Sequence, residues 1–228
     1  MKARELLLVL TALSLGTSVH AAPVLIGEAG SFAPQDCVPF GCAVKAQFIY
    51  GASNFTGPIT IAAITFFNSN NGDFFDTATY QFKLSTTTAS VGSPSATFSN
   101  NVGTNEQLFA VASLSGIVPP AFAFIGTPFY YNPAIGNLLL EVDKSSGAGV
   151  FSASAFTDYD DGAGFLVSRV FSFEDSVDGL IDLNDGPVTE FRSLDDLTVP
   201  EPSTLNLTGL GLLAVGHLAA RTRRKKLA

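Results

Sequence analysis

The sequence predicts an all-β fold, an antiparallel β-sandwich of the jelly-roll type, with an apolar targeting segment at each end of the chain. Strand-length segments that are apolar, or that alternate between apolar and polar residues, recur along the central part. Turn signals such as Asn71-Gly72-Asp73 and Asp178-Gly179 separate them. No stretch has the 3.6-residue period of an amphipathic helix. Many short strands with regular turns favour a sandwich of two antiparallel sheets.

The N-terminus has the three parts of a secretory signal peptide, which we assign to residues 1–21. Lys2 and Arg4 form a charged start, and Leu6–Leu15 forms an apolar core. Small residues follow, with the predicted cut by signal peptidase between Ala21 and Ala22. The mature chain is therefore expected to begin at Ala22.

Residues 22–198 are expected to form one exported domain, a length that a single domain commonly has. This part of the chain carries five cations against eighteen carboxylates, a net charge of −13, whereas the whole chain has −8. Nucleic acid is excluded as a partner, because binding a polyanion needs clustered Lys and Arg. Divalent cations or a neutral or cationic polymer are compatible with such a surface.

The two cysteines, Cys37 and Cys42, are expected to form a disulfide in an oxidising compartment. Both histidines, His20 and His217, lie in the targeting ends, so the exported domain contains none. Ser-His-Asp and Cys-His nucleophiles and a histidine-based zinc site are thereby excluded. We expect that the protein is not an enzyme, although a carboxylate-dependent glycan hydrolase needs only two acidic groups and stays as a third hypothesis.

The strands of the domain are predicted from period-two alternation and from apolar runs. In the third of them, Ala78, Tyr80, Phe82 and Leu84 alternate with polar residues, which predicts one buried face. A tight turn is expected before Leu138–Val142, whose continuous apolar run is typical of a central strand. The predicted strands are Val44–Tyr50, Ile59–Phe67, Thr77–Ser85, Leu108–Leu114, Phe122–Ile125, Asn137–Val142, Val150–Phe156, Leu166–Phe173 and Val188–Arg192.

Two acidic motifs, Asp158–Gly162 and Asp182–Gly186, are the best candidates for a binding site. Each places alternate oxygen-bearing residues before a glycine turn, a pattern that can surround Ca²⁺. Each is incomplete as an EF-hand loop, because the glycine comes one residue early and the twelfth position is Arg169 or Ser193. We favour the interpretation that both motifs are acidic turns at the surface. The alternative is calcium binding, either in a motif or by one ion that bridges both motifs. The candidate ligands are Asp158, Asp160, Asp182 and Asn184.

The C-terminal tail, residues 199–228, has three consecutive parts. A proline-rich motif at 199–204 contains Val199, Pro200, Glu201 and Pro202. Residues 205–220 form an apolar run of about 24 Å if helical, which spans a bilayer core only marginally. The basic cluster within 221–228 would keep the C-terminus in the cytoplasm by the positive-inside rule. We therefore expect a transmembrane helix in the inner membrane, with the domain outside.

This tail resembles that of the PEP-CTERM family of bacterial surface proteins, in which the Pro200-Glu201-Pro202 triplet marks the tail for removal by an exosortase. The resemblance implies an exported protein that is anchored in the inner membrane during transit and then reaches the cell surface or the extracellular matrix. It also implies an association with exopolysaccharide. We expect a structural or adhesive role, with a calcium-dependent carbohydrate-binding module as the alternative.

Parts of the domain are also similar to recurring phrases in one group of PEP-CTERM ectodomains. That similarity implies a common β-sandwich scaffold, with no established activity to carry over. The similar segments are Ala78–Thr87, Asn100–Gly103, Pro128–Val142 and Val188–Arg192.

Overall fold

The computed structural model describes residues 22–28, 36–70, 72–147, 157–160 and 167–197. Within them lie twelve strands, two short 3₁₀ turns and one four-residue helix. The strands are β1 Val24–Ile26, β2 Lys45–Tyr50, β3 Ile59–Phe67, β4 Phe74–Thr87, β5 Gln107–Ile117, β6 Ala121–Tyr131, β7 Asn137–Gly147, β8 Tyr159–Asp160, β9 Val167–Ser172, β10 Leu180–Leu183, β11 Gly186–Pro187 and β12 Thr189–Ser193. The 3₁₀ turns are Ala52–Asn54 and Phe98–Asn101, and the helix is α1 Leu194–Leu197.

Two antiparallel sheets hold most of these strands. One sheet has the order β1-β12-β3-β6, and the other has the order β10-β9-β2-β7-β4-β5. Strands β8 and β11 form a separate two-stranded pair. Rings from the two sheets meet between them, as in the contact of Phe82 with Phe124 at 4.1 Å between ring centroids. The all-β, antiparallel prediction is confirmed, and the arrangement is sandwich-like.

The two clearest strand patterns in the sequence are found as predicted. Ala78, Tyr80, Phe82 and Leu84 of β4 are all buried in the core between the sheets. The apolar run at the start of β7 lies between β2 and β4, and Leu138–Leu140 are buried on both faces of the sheet. Burial of both faces explains why this strand is continuously apolar.

Other strands differ from the sequence prediction. Strand β6 continues for six residues beyond the predicted Phe122–Ile125, through Gly126 and Pro128. It can do so because it is an edge strand with an irregular register, where glycine and proline are tolerated. The short strands β1 and β10 were not predicted, and the predicted strand Val150–Phe156 lies outside the described residues.

Phe40 is the ring at the centre of the core. It comes from the loop after Cys37, is completely buried and makes aromatic contacts with both sheets. The Tyr80 hydroxyl also donates a hydrogen bond of 2.7 Å to the Phe40 carbonyl oxygen. Such ring pairs stabilise by about 0.5–1.5 kcal/mol each beyond the burial of their area. Its partners, at 5.0–6.2 Å between ring centroids, are Phe66, Phe75, Tyr80, Phe82, Phe122 and Phe124.

The loop that presents Phe40 is closed by the expected disulfide between Cys37 and Cys42, whose Cα atoms are 5.3 Å apart. The amide groups of Gly41 and Cys42 donate hydrogen bonds to the Cys37 carbonyl oxygen at 2.6 and 3.1 Å. Both sulfurs are used in the bond and offer no thiolate to a metal, although Asp36 lies beside them. The disulfide therefore fixes the ring that joins the two sheets.

Substitution of Phe40 by Ala should lower the free energy of unfolding by about 3–5 kcal/mol, because it removes the central ring and leaves a cavity. Denaturant unfolding followed by tyrosine fluorescence measures this loss. The matched control is Tyr130→Ala, which removes a ring that is 61% exposed and should change the free energy by no more than about 0.5 kcal/mol. Equal losses in the two variants would contradict the central role of Phe40.

Candidate functional site

The fold brings the two acidic motifs side by side, although they are more than twenty residues apart in the chain. Strands β8 and β11 pair antiparallel, with Asp160 opposite Gly186 and Tyr159 opposite Pro187. The Val188 amide extends the contact by donating a hydrogen bond of 2.8 Å to the Asp158 carbonyl oxygen. The two motifs thus lie next to each other in one acidic cluster.

Arg169 of β9 lies within this acidic cluster, and its guanidinium binds three carboxylates. Its Nε and Nη2 donate hydrogen bonds to one Asp182 oxygen at 2.9 and 2.7 Å. Its Nη1 donates to Asp36 at 2.9 Å and to the Tyr159 hydroxyl at 2.6 Å. Nη2 also lies 3.1 Å from an Asp185 oxygen. One guanidinium therefore joins β9, β10, the β10–β11 turn and the segment before Cys37.

The environment of Arg169 holds it in the charged form. Burial disfavours that charge, but the negative charges of Asp36 and Asp185 and the hydrogen bond to Asp182 outweigh burial and raise the pKa of the guanidinium above its ordinary value. The guanidinium carbon also lies 4.7 Å from the ring centroid of Tyr159 and 4.5 Å from that of Phe171. Burial raises the pKa of the Tyr159 hydroxyl well above its usual range, so this group stays neutral.

The predicted calcium ligand Asp158 is buried and has protein partners. Its two carboxylate oxygens accept hydrogen bonds of 2.7 Å from the Ser69 amide and from the Ser69 hydroxyl. Its carboxylate is thereby tied to the chain that follows β3, and its backbone to Val188. The role of this residue that the contacts show is to fasten β8 to the four-stranded sheet.

The other three predicted ligands lie in different contexts. Asp182 is not in a loop, as the motif suggested, but within β10 opposite Arg169. Asn184 has a φ of 56°, the left-handed backbone that asparagine tolerates in a turn, and its backbone N–H donates to the Ser168 hydroxyl at 3.2 Å. The backbone of Asp160 pairs with that of Gly186 in the antiparallel pair of β8 and β11. Calcium binding at these residues stays a prediction.

The twelfth positions of the two motifs also have roles of their own. Arg169 supplies a positive charge where an EF-hand has its bidentate carboxylate. Ser193 caps α1 from the position before it, since its hydroxyl and backbone amide donate to the Asp196 carboxylate at 2.8 and 2.9 Å. Neither residue completes an EF-hand.

A second charged cluster lies on the outer face of the six-stranded sheet, where β2, β7 and β4 are neighbours. The Lys83 ammonium lies 2.8 Å from a Glu141 oxygen and 2.7 Å from an Asp143 oxygen. The Lys45 ammonium lies 3.3 Å from each of the same two carboxylates. Two lysines and two carboxylates thus form an alternating, neutral network.

Buried amides extend this network below the surface. The Gln47 amide nitrogen donates to Glu141 at 2.7 Å and to the Phe98 carbonyl oxygen at 3.1 Å, and the Asn101 amide donates to Gln47 at 3.0 Å. A cleft of about 530 Å³ opens above the network. Its lining residues are Lys45, Lys83, Phe98, Ser99, Val102, Glu106, Glu141, Ser176 and Val177.

The pKa values of the two carboxylates move in opposite directions. Burial alone would raise the pKa of Glu141, but hydrogen bonds from Lys83 and Gln47 and the charge of Lys45 lower it overall. Burial raises the pKa of Asp143, and the negative charge of Glu141 adds to that effect. Glu141 is therefore the residue of this pair that is stabilised as a carboxylate.

Sequence reasoning missed both Arg169 and Glu141 as organising residues. Each is a charged residue inside a predicted apolar strand of a domain that has few cations, and this was the available signal. Their partners are far away in the chain, for example Arg169 with Asp36 and Glu141 with Gln47, so spacing alone could not identify them.

Of the targeting residues, Ala22 is described and exposed, whereas Ala21 and the tail from Val199 onward lie outside the described residues.

A protein-family model described as the PEP-CTERM protein-sorting motif matches residues 198–225. The chain carries a PEP-CTERM sorting tail. The match covers the tail and confirms the resemblance drawn from the Pro200–Pro202 triplet. No curated protein and no solved structure matches the chain. Among the residues with described structure, no helix is both long and apolar enough to cross a membrane.

Substitution of Arg169 by Met should lower the free energy of unfolding of this protein by about 2–4 kcal/mol. The loss follows because three carboxylates lose their shared cation, although their partial exposure lets water offset some of the cost. The control is Arg192→Met, which removes a half-exposed cation paired with Glu190 and should cost no more than about 1 kcal/mol. Urea unfolding at pH 7 compares the two, and a loss in Arg169→Met no larger than the control's would contradict the proposed role of the guanidinium.

Substitution of Glu141 by Gln should remove about 2 kcal/mol of stability at pH 7, where the carboxylate accepts charged hydrogen bonds. The folded-state pKa of Glu141 lies below its ordinary value of 4.5, so its contribution is complete above that pH and is lost as the pH falls further. The difference between wild type and variant should therefore shrink below about pH 4.5. The control Ser99→Ala alters the same cleft without a titrating group and should run parallel to wild type. Unfolding midpoints measured from pH 7 to 3 test this, and a difference that grows towards low pH would contradict it.

Proposed function

We propose that this protein is an exported structural or adhesive component of the bacterial cell surface or extracellular matrix. The observation that carries the proposal is the PEP-CTERM sorting motif at residues 198–225, which follows an all-β domain. The sorting motif implies export and processing by an exosortase-type enzyme. The structural or adhesive role is our inference from the character of the domain.

The proposed route has three steps. Signal peptidase cuts between Ala21 and Ala22, the apolar run at 205–220 then holds the chain in the inner membrane with its C-terminus in the cytoplasm, and the exosortase removes the tail at the Pro200–Pro202 triplet. A disulfide in the domain suits the oxidising compartment that this route reaches.

The charged clusters support a structural role. In each cluster the described side chains bind one another: Arg169 joins three carboxylates, and the two lysines of β2 and β4 share Glu141 and Asp143. Such closed networks stabilise one conformation, whereas a catalytic centre needs groups that can change their partners during reaction. Exopolysaccharide is the proposed partner, and the exposed Tyr130 ring gives the domain one aromatic contact surface for it.

A calcium-dependent carbohydrate-binding module is the second candidate. The pairing of β8 with β11 favours it, because this pairing brings the two acidic motifs side by side. Thermal unfolding with millimolar Ca²⁺ tests it, since an ion that binds only the folded chain raises the midpoint. A rise that is lost in Asp160→Asn would support the site, and no rise would leave the structural role.

Release of reducing ends from a matrix glycan would instead support the third hypothesis, a hydrolase.

Mass spectrometry of the protein recovered from the producing bacterium tests the sorting route. We expect a mature chain that begins at Ala22 and lacks the apolar run at 205–220, because the exosortase acts at the triplet before it. Replacement of Glu201 by Ala should leave the tail on the chain and the protein in the membrane fraction. A wild-type surface protein that retains its last residues, Lys226 to Ala228, would contradict the proposal.

A further inference from the structure

The four strands that end the two sheets differ in how their outer edges are protected. An unpaired edge offers its backbone amides and carbonyls to another chain, and proteins protect such edges with short strands, charges, prolines or bulges. Strands β1 and β10 have only three and four residues, whereas β5 and β6 have eleven each. The long edges are therefore the ones that need protection.

Strand β6 has more of this protection than β5. Strand β6 contains Pro128, which lacks an amide hydrogen, and its register is irregular near Gly126. Strand β10 is short, and it also carries a charged residue, Asp182, which accepts a hydrogen bond from Arg169. Strand β5 contains neither proline nor charge. Its register with β4 shifts at two places, beside Phe109 and before Gly116, and the stretch between them, Ala110–Leu114, pairs one for one with β4. In the part of the chain that the structure describes, no strand pairs with its other edge.

The available part of the β5 edge begins at Ala110. Before it, β6 approaches closely, since a side chain at Gly126 would collide with the Phe109 carbonyl oxygen. The Gln107 amide nitrogen also donates to the carbonyl oxygens of Thr127 and Pro128 at 3.0 and 3.3 Å. The first three residues of β5 are thus covered by β6, and the regular stretch beyond them is not held in this way.

Charge points to a second copy of this chain as the partner. The exported domain has a net charge of −13, so most approaches of two copies are repulsive. From Gln107 to Leu140 the chain contains no charged residue, and β5 lies within this segment. Leu108 and Val111, 50% and 56% exposed, add apolar surface beside the edge. Two copies can meet here without bringing carboxylates together.

We propose that β5 pairs with β5 of a second copy and joins the two six-stranded sheets into one continuous sheet. A two-fold axis makes the paired strands antiparallel and places the same surface of both copies in contact. The Val111 side chains of both copies then lie on the same outer face across the new pairing. The inference rests on the proposed structural role and names its partner, because a component of a matrix gains strength from self-association.

The test is the association of the full chain in a density-matched detergent, measured by sedimentation equilibrium. Val111→Lys should raise the dissociation constant at least about tenfold, because it places two like charges at the pairing. Val111→Thr keeps the β-branched shape and should keep the association. Leu180→Lys is the matched control, since it adds the same charge at a 58% exposed residue of β10, at the opposite end of the same sheet, and should associate as wild type does.

Hydrogen exchange locates the interface independently. Amides of residues 110–116 should gain protection as the concentration of wild-type chain rises, and Val111→Lys should abolish that gain while keeping its thermal midpoint. A wild-type chain that is monomeric up to about 1 mM, or equal weakening by Val111→Lys and Leu180→Lys, would overturn the proposal. Tail processing is measured separately by mass in cells, so failure of the sorting route and failure of self-association are distinguishable.

Discussion

The contact of the Phe40 ring with both sheets is the interaction on which the rest of the structure depends. A sandwich is stable only if its two inner faces are joined by a filled core, and here the central ring comes from a loop and not from a strand. The disulfide between Cys37 and Cys42 closes that loop, and Asp36 beside it binds Arg169. The same short segment therefore connects the aromatic core with the acidic cluster.

Three of the five cations in the domain, Lys45, Lys83 and Arg169, each bind several carboxylates. Arg169 offsets part of the charge of three acidic side chains, and Lys45 and Lys83 neutralise two others. In a domain with a net charge of −13, the carboxylates repel one another. Each of these three cations lies beside two or three carboxylates and reduces the repulsion between them. Strands β5 and β6 carry no charged residue, and the neutral surface that they present suits the proposed assembly.

The sequence predicted the parts of the fold that are determined by local pattern. The alternation from Ala78 to Leu84 and the apolar run at Leu138 predicted β4 and β7, and the tail motif predicted the family match. Edge strands such as β6 were mispredicted because glycine and proline are tolerated where a strand has one free side. The acidic motifs were identified, but their cation, Arg169, was not, because ion pairing depends on contacts between distant parts of the chain.

Equilibrium unfolding of the full chain with its disulfide intact and reduced tests the central claim most directly. Closing this short loop should stabilise the folded state by about 2 kcal/mol, so reduction should remove that amount from wild type. In Phe40→Ala, reduction should remove clearly less, because the loop no longer holds a ring between the sheets, and the difference between the two losses measures the coupling. Equal losses in wild type and variant would contradict the account, since the disulfide would then stabilise the chain independently of the aromatic core.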